Sequence, residues 1–112
     1  MPGFHCAIID DCSGDDTDEV ATRLAAADPR VRFTRHATRR GHVATFNEGL
    51  AATRADHVVL LSADDALAPG ALARAARFLD DEPGVGFVYG HAAYFAEEPL
   101  PPARQDRSVR RI

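Results

Sequence analysis

The sequence has 112 residues and no lysine, so all 13 of its basic residues are arginines. It also has no apolar run near the roughly 20 residues that a membrane-spanning helix needs, which argues against a transmembrane segment. The N-terminal stretch MPGFHCAII has no lysine or arginine and no small-residue cleavage site, so we expect no signal peptide. With only two cysteines, Cys6 and Cys12, we expect a reduced, cytoplasmic protein, while a disulfide between the two stays open.

The composition that is present, 46% hydrophobic and 27% charged, is typical of one globular domain with one core. Short apolar segments predict strands near residues 4–9, 31–35, 57–62 and 85–90. Amphipathic segments between them predict helices, so the order is β-α-β-α-β-α-β. This alternation indicates an α/β fold of three layers with a mainly parallel sheet. We expect this domain to cover residues 1–96. Residues 97–112, rich in proline and arginine, are predicted to form a C-terminal tail.

The apolar positions of these elements predict the core. We expect most of each of the following side chains to be buried: Ile8, Ile9, Val20, Leu24, Phe33, Phe46, Leu50, Val59, Leu60, Leu61, Leu72, Leu79 and Val88.

Two pairs of adjacent carboxylates follow two of the predicted strands. Asp10 and Asp11 end the first strand, and Asp64 and Asp65 follow the strand at 57–62. Ligands of parallel α/β sheets bind outside the carboxyl ends of the strands, so both pairs are predicted at the ligand-binding edge. Four converging carboxylates would repel one another, and a Mg²⁺ or Mn²⁺ ion together with a phosphate would remove that repulsion. The alternative is structural, because aspartate also caps helices and forms turns.

Other polar residues near this edge have weaker signals. Arg39 and Arg40, in the loop after the second strand, could meet a phosphate, but arginines at such a position are more often solvated surface residues. His36 and His42 flank that loop and are more often surface or core residues than ligands. Asn47 could bond either the backbone or a ligand.

The motifs AIIDDCSGDDT, VRFTRH, GHVATFNEGLAATRADHVVLLSADDALAPGAL and VGFVYG, in this order, resemble the family 2 glycosyltransferases of GT-A fold. The resemblance covers about residues 4–95. It implies a partial GT-A or Rossmann-like fold that binds a nucleotide-diphosphate sugar. By position in the motifs, Asp11 would contact the nucleotide base and Asp64 would lie near the ribose and diphosphate. Asp65, with Asp64 beside it, would hold Mg²⁺ or Mn²⁺.

The sequence also departs from the family pattern. Only Met1 to Gly3 precede the strand FHCAII, where relatives have a further strand and helix, and the acceptor half with its catalytic base would follow residue 95. We therefore expect a domain truncated at both ends, inactive alone, with no catalytic residue of its own. Ser62 stands where many members have the first Asp of their DxD motif, and Phe46 where many have Arg. Without the family's first strand, the first three strands would take the order 2-1-3.

Two alternatives to a glycosyltransferase-like domain stay open. The first is a non-enzymatic module that binds nucleotide or metal, or that forms a homodimer through the surface that the missing elements would cover. The second is a phosphoacceptor or phosphatase-like α/β domain, because acidic pairs at strand ends and a 2-1-3 strand order also describe receiver domains. That fold type needs a lysine opposite its acids, and the lack of lysine counts strongly against it. An acidic chain, with net charge −4, is also a poor candidate for binding nucleic acid.

Overall fold

The computed structural model describes residues 3–94 and 96. The chain divides into two compact units, Met1–Leu60 and Leu61–Ile112. The predicted tail at 97–112 lies outside the described residues. No helix in the described part of the chain has both the length and the apolar character needed to cross a bilayer.

The first unit contains two strands and two helices in alternation. Strand β1 spans Cys6–Asp10, helix α1 spans Thr17–Ala27, strand β2 spans Val31–Arg35 and helix α2 spans His42–Ala52. The two strands are parallel neighbours. Helix α1 contacts both strands and α2 contacts β1, so the β-α-β-α order predicted for this half of the chain is confirmed. Cys6 and Cys12 are free thiols, so no disulfide joins them.

Packing between helix and sheet depends on small residues. Ala21 of α1 is the one buried apolar side chain among the described residues. Gly49 of α2 lies against Ile9 of β1, where an added Cβ would be 3.5 Å from the Ile9 Cδ1 atom. Since side chains alternate along a strand, Ile8 faces the other side of the sheet from Ile9. Because Ala21 and Gly49 have small or no side chains, α1 and α2 can approach the two strands closely.

Local polar contacts set the bounds of helix α1. The Asp15 carboxylate accepts a hydrogen bond from the Thr17 backbone N–H at 3.0 Å, which satisfies a donor of the first turn. Asp18 and Glu19 then place negative charge at the helix N-terminus, where the helix dipole favours it. The helix ends before Asp28, whose carboxylate holds the Arg30 guanidinium at 2.6 Å. This contact lowers the pKa of Asp28 to about 2.

The second unit contains helix α3, Ala71–Asp81. Its N-cap is Gly70, with φ of 74°, a left-handed conformation that favours glycine. The helix confirms the amphipathic segment predicted around Leu72 and Leu79.

Strands were also predicted at 57–62 and 85–90, and the structure does not confirm them. Both segments lack regular secondary structure, and the sheet of the described residues has two strands. The third position of the predicted order 2-1-3 is therefore not confirmed either. A continuous apolar run such as HVVLL is typical of a strand covered by neighbours on both sides. Without such neighbours, its composition alone does not create a strand.

The predicted core is only partly present. Eight of the thirteen predicted residues are partly buried, but Leu24, Leu50, Val59, Leu60 and Leu61 are exposed by 42 to 51%. For these five the prediction is wrong. A two-stranded sheet offers too little surface to bury apolar side chains on every helix and segment around it.

The buried position in α1 can be tested by overpacking. We expect Ala21→Leu to lower the free energy of unfolding by about 1–3 kcal/mol, because extra methyl groups have no room between helix and sheet. Ala26→Leu, the same change at an exposed alanine of the same helix, should alter it by less than about 0.5 kcal/mol. Urea denaturation of both variants is the measurement. Equal losses would contradict the packing of α1 against the sheet through Ala21.

Candidate functional site

The candidate site lies where the two parallel strands end together. Their register pairs Asp10 with Arg35. The ladder continues one residue further, because the His36 backbone N–H donates to the Asp10 carbonyl at 2.9 Å. The next residues, Asp11 after β1 and His36 after β2, therefore emerge side by side at the carboxyl edge of the sheet.

The Asp11 carboxylate is the centre of this arrangement. Its Oδ1 atom lies 2.8 Å from His36 Nδ1 and accepts a hydrogen bond from the Arg40 backbone N–H at 2.7 Å. Its Oδ2 atom accepts one from the Gly41 backbone N–H at 2.8 Å. The hydrogen bond from His36, followed by that from Arg40, lowers the pKa of Asp11 to about 2. Asp11 is therefore ionised at any physiological pH.

His36 lies between two carboxylates. Its side chain is only 3% exposed, with Nδ1 facing Asp11 and Nε2 lying 2.7 Å from Glu48 Oε2. An imidazole donates from both nitrogens only when it is protonated. The bond to Asp11 and then the bond to Glu48 raise the pKa of His36 above its usual value, while burial and the nearby Arg40 oppose the shift.

The loop between β2 and α2 wraps around Asp11. Gly41 has φ of 91° and ψ of 155°, a backbone region that is essentially restricted to glycine. This conformation allows the successive N–H groups of Arg40 and Gly41 to point at one carboxylate. The Arg40 guanidinium then reaches Glu48 at 3.4 Å, which joins the loop to α2.

The neighbouring aspartate has a different role. The Asp10 side chain is 1% exposed, and its Oδ1 atom accepts a hydrogen bond from the Ser13 backbone N–H at 3.0 Å. Cys12 between them has φ of 63°, so the chain turns back sharply at this point. Among the described residues the Asp10 Oδ2 atom has no hydrogen-bond partner, but Arg35 Nε lies 3.5 Å away. Arg35 also binds the Ser13 carbonyl and Asp18. Asp10 is therefore a structural residue that orders the loop after β1.

The second carboxylate pair lies in the other unit. The Asp65 backbone N–H donates to the Ser62 carbonyl at 3.0 Å, which closes a turn containing Asp64. Both aspartates are exposed, and neither carboxylate accepts a hydrogen bond within the part of the chain that the structure describes. The turn geometry was the structural alternative to a metal role, and it does not exclude one, because both side chains stay free.

The contacts around Asp11 form a cluster of Asp11, His36, Arg40, Gly41 and Glu48. Two of its side chains, His36 and Glu48, were not predicted from the sequence. Glu48 had no signal of its own, and His36 was treated as an ordinary surface or core histidine. The parallel register could have found His36, because the residue after β2 must emerge beside the residue after β1. Arg39, His42 and Asn47 are exposed, and the structure gives none of them a hydrogen bond to Asp11.

Comparison with known protein families identifies the family of the chain. The family model described as glycosyl transferase family 2 matches residues 1–111. The chain belongs to this family. No curated protein and no solved structure matches the chain. The α/β arrangement of the first unit is consistent with part of the GT-A fold of family 2 glycosyltransferases.

Many family 2 glycosyltransferases use a divalent metal, so the next question is which residues of this chain could hold one. Exposed carboxylates such as Asp64 and Asp65 are the hard oxygen ligands that Mg²⁺ and Mn²⁺ prefer. The described residues contain no group of three or more acidic, histidine or cysteine side chains that could hold a metal ion. Two carboxylates fit a metal whose remaining ligands come from a diphosphate and water.

The glycine that shapes the Asp11 loop gives a direct test of the site. We expect Gly41→Ala to destabilise this family 2 glycosyltransferase domain by about 1–3 kcal/mol, because alanine does not adopt the backbone conformation of Gly41. Gly14→Ala is the matched control, since Gly14 is exposed, has no positive φ, and has no atom of the described residues within 4 Å of an added Cβ. Thermal denaturation of both variants is the measurement. A loss as small as that of the control would mean that the loop does not depend on this glycine.

Proposed function

We propose that this family 2 glycosyltransferase domain binds a nucleotide-diphosphate sugar together with Mn²⁺ or Mg²⁺. The observation that carries the proposal is the family match over residues 1–111, which includes the aspartates Asp11, Asp64 and Asp65. The geometry of the first unit and the exposure of the second carboxylate pair support it.

Asp11 is proposed to contact the nucleotide base. An ionised carboxylate offers about four acceptor positions, and three of those of Asp11 are used by His36, Arg40 and Gly41. The remaining position is on Oδ2, which has one protein donor rather than two. The side chain is 20% exposed, so a ring or amino N–H of a base can approach it. A fixed, ionised acceptor of this kind suits a neutral donor group.

Asp65 and Asp64 are proposed to hold the metal, with Asp64 near the ribose and diphosphate. Their carboxylates have no protein donor among the described residues, so their charge remains for a cation. When bound, such a metal would neutralise negative charge on the diphosphate leaving group.

The proposal concerns binding of the donor and assigns no residue as a catalytic base. His36 cannot accept a proton while both of its ring nitrogens donate to carboxylates. The alternative, a non-enzymatic nucleotide- or metal-binding module, shares the same binding step and differs only in turnover.

Thermal melting tests the metal role of Asp65. With Mn²⁺ and UDP or GDP at saturating concentration, the melting temperature of the wild type should rise, since a ligand bound to the native state stabilises it by about 2.7 kcal/mol at 100 times its Kd. Asp65→Ala should lose most of that rise. Asp56→Ala, which removes another exposed aspartate, should keep it. The assignment of Asp65 fails if ligand shifts Asp65→Ala as much as the wild type, and the proposed function fails if it shifts neither.

A homodimer is part of the same proposal. The four consecutive apolar residues Val58 to Leu61 are exposed by 46 to 51%, which is an unusual exposed apolar run for a monomer. Sedimentation at micromolar concentration should show a dimer, and Leu60→Glu should shift it to monomer by placing a charge in that run. Monomer alone for the wild type would contradict the dimer.

A further inference from the structure

The proposed donor site uses the Asp11 carboxylate and leaves the buried histidine beside it without a role. His36 is enclosed at the end of β2, and each of its ring nitrogens meets a carboxylate. A buried neutral imidazole needs one acceptor for its N–H and one donor for its other nitrogen. Two carboxylates at 2.8 and 2.7 Å form a site for the protonated ring.

We propose that His36, held in place by its contact with Glu48, is a positioning residue that fixes the orientation of the Asp11 carboxylate for ligand binding. The inference rests on the proposed function, because it concerns how Asp11 presents its acceptor to the nucleotide. Neither His36 nor Glu48 needs to touch the ligand.

The geometry supports this division of roles. Rotation of the Asp11 carboxylate would exchange Oδ1, which takes two donors, with Oδ2, which takes one. The donor from His36 is the one that comes from a side chain, and Glu48 prevents this ring from turning away. Glu48 is itself held on α2 and by Arg40 at 3.4 Å. Through these contacts, the position of α2 determines the direction of the remaining acceptor position of Asp11.

The arrangement also predicts how binding depends on pH. The charged groups that face the His36 ring are Asp11, Glu48 and Arg40. Asp11, with its pKa of about 2, stays ionised throughout the accessible range, so its own titration does not change binding. His36 loses its proton as pH rises through its folded pKa, which is raised above 6.5. A neutral ring then donates to one carboxylate and turns a lone pair toward the other. Stability from this group is complete below the unfolded pKa near 6.5 and is lost as pH rises through the folded pKa.

The experiment compares UDP affinity in the presence of Mn²⁺ at about pH 6, below the unfolded pKa of 6.5, with the affinity at a series of higher pH values. The variants are His36→Gln and Glu48→Gln. Their matched controls are His42→Gln, at an exposed histidine of α2, and Glu19→Gln, at an exposed glutamate of α1. NMR titration of the histidine rings without ligand supplies the second readout, and it also shows whether each variant is folded.

We expect His36→Gln to weaken binding about tenfold near pH 6, a loss typical of removing a residue that orients a ligand-binding group. It should also remove the part of the pH dependence that the wild type and His42→Gln share. Glu48→Gln should lower the titration midpoint of the His36 ring and move the midpoint of binding by the same amount. This coincidence of two midpoints is a result that a merely structural role for Glu48 would not produce.

The outcomes separate the two proposals. If the wild type binds UDP and His36→Gln binds equally well at every pH of the series, the positioning role is overturned and the proposed function stands. If the wild type binds neither UDP nor GDP with Mn²⁺, the proposed function fails and the positioning role fails with it. Should His36→Gln not fold, Glu48→Gln decides alone, and unequal shifts of its two midpoints overturn the role.

Discussion

The hydrogen bonds of the Asp11 carboxylate hold the first unit together at its functional edge. One side chain at the end of β1 binds the loop after β2 through two backbone N–H groups, and it binds α2 through His36 and Glu48. Three hydrogen bonds to a charged carboxylate are stronger than three hydrogen bonds between neutral groups, because each of them is charge-assisted. Three elements that are separate in the sequence therefore meet at one ionised group.

Two adjacent aspartates at the end of the same strand have opposite roles because their side chains point in opposite directions. Consecutive residues of a strand face opposite sides of the sheet. Asp10 is buried and orders the loop after β1 with Arg35, whereas Asp11 stays partly exposed and is satisfied by the loop after β2. The positive φ of Cys12 follows from this arrangement, since the chain must turn at once for the Ser13 N–H to reach Asp10. The left-handed backbone at Cys12 is compensated by the hydrogen bond that it permits.

The sequence predicted the elements whose signals are local and missed those that depend on neighbours. The β-α-β-α half was readable from the apolar periods of β1 and α1, and the family from ordered motifs around Asp11 and Asp65. Strands at 57–62 and 85–90 were not confirmed, because a strand requires a partner whose presence no local pattern specifies. His36 and Glu48 were missed for a related reason. A histidine at a strand end has no distinctive spacing, and only the register of β1 with β2 places it beside Asp11.

Asp11 differs from Asp64 and Asp65 in the number of protein hydrogen-bond donors that its carboxylate has. That difference is the reason why different ligand groups are proposed for them. Asp11 already accepts hydrogen bonds from three protein donors, which balance much of its negative charge. What it offers a ligand is therefore one hydrogen-bond acceptor position in a fixed direction. A cation there would compete with the His36 ring, whose Nδ1 lies 2.8 Å from the same Oδ1 atom. Asp64 and Asp65 sit on a turn, exposed and without protein donors among the described residues. Adjacent uncompensated carboxylates repel each other, and a divalent cation relieves that repulsion most strongly. The same residue type is therefore suited to a nucleotide base at one strand end and to a metal and diphosphate in the turn of the second unit.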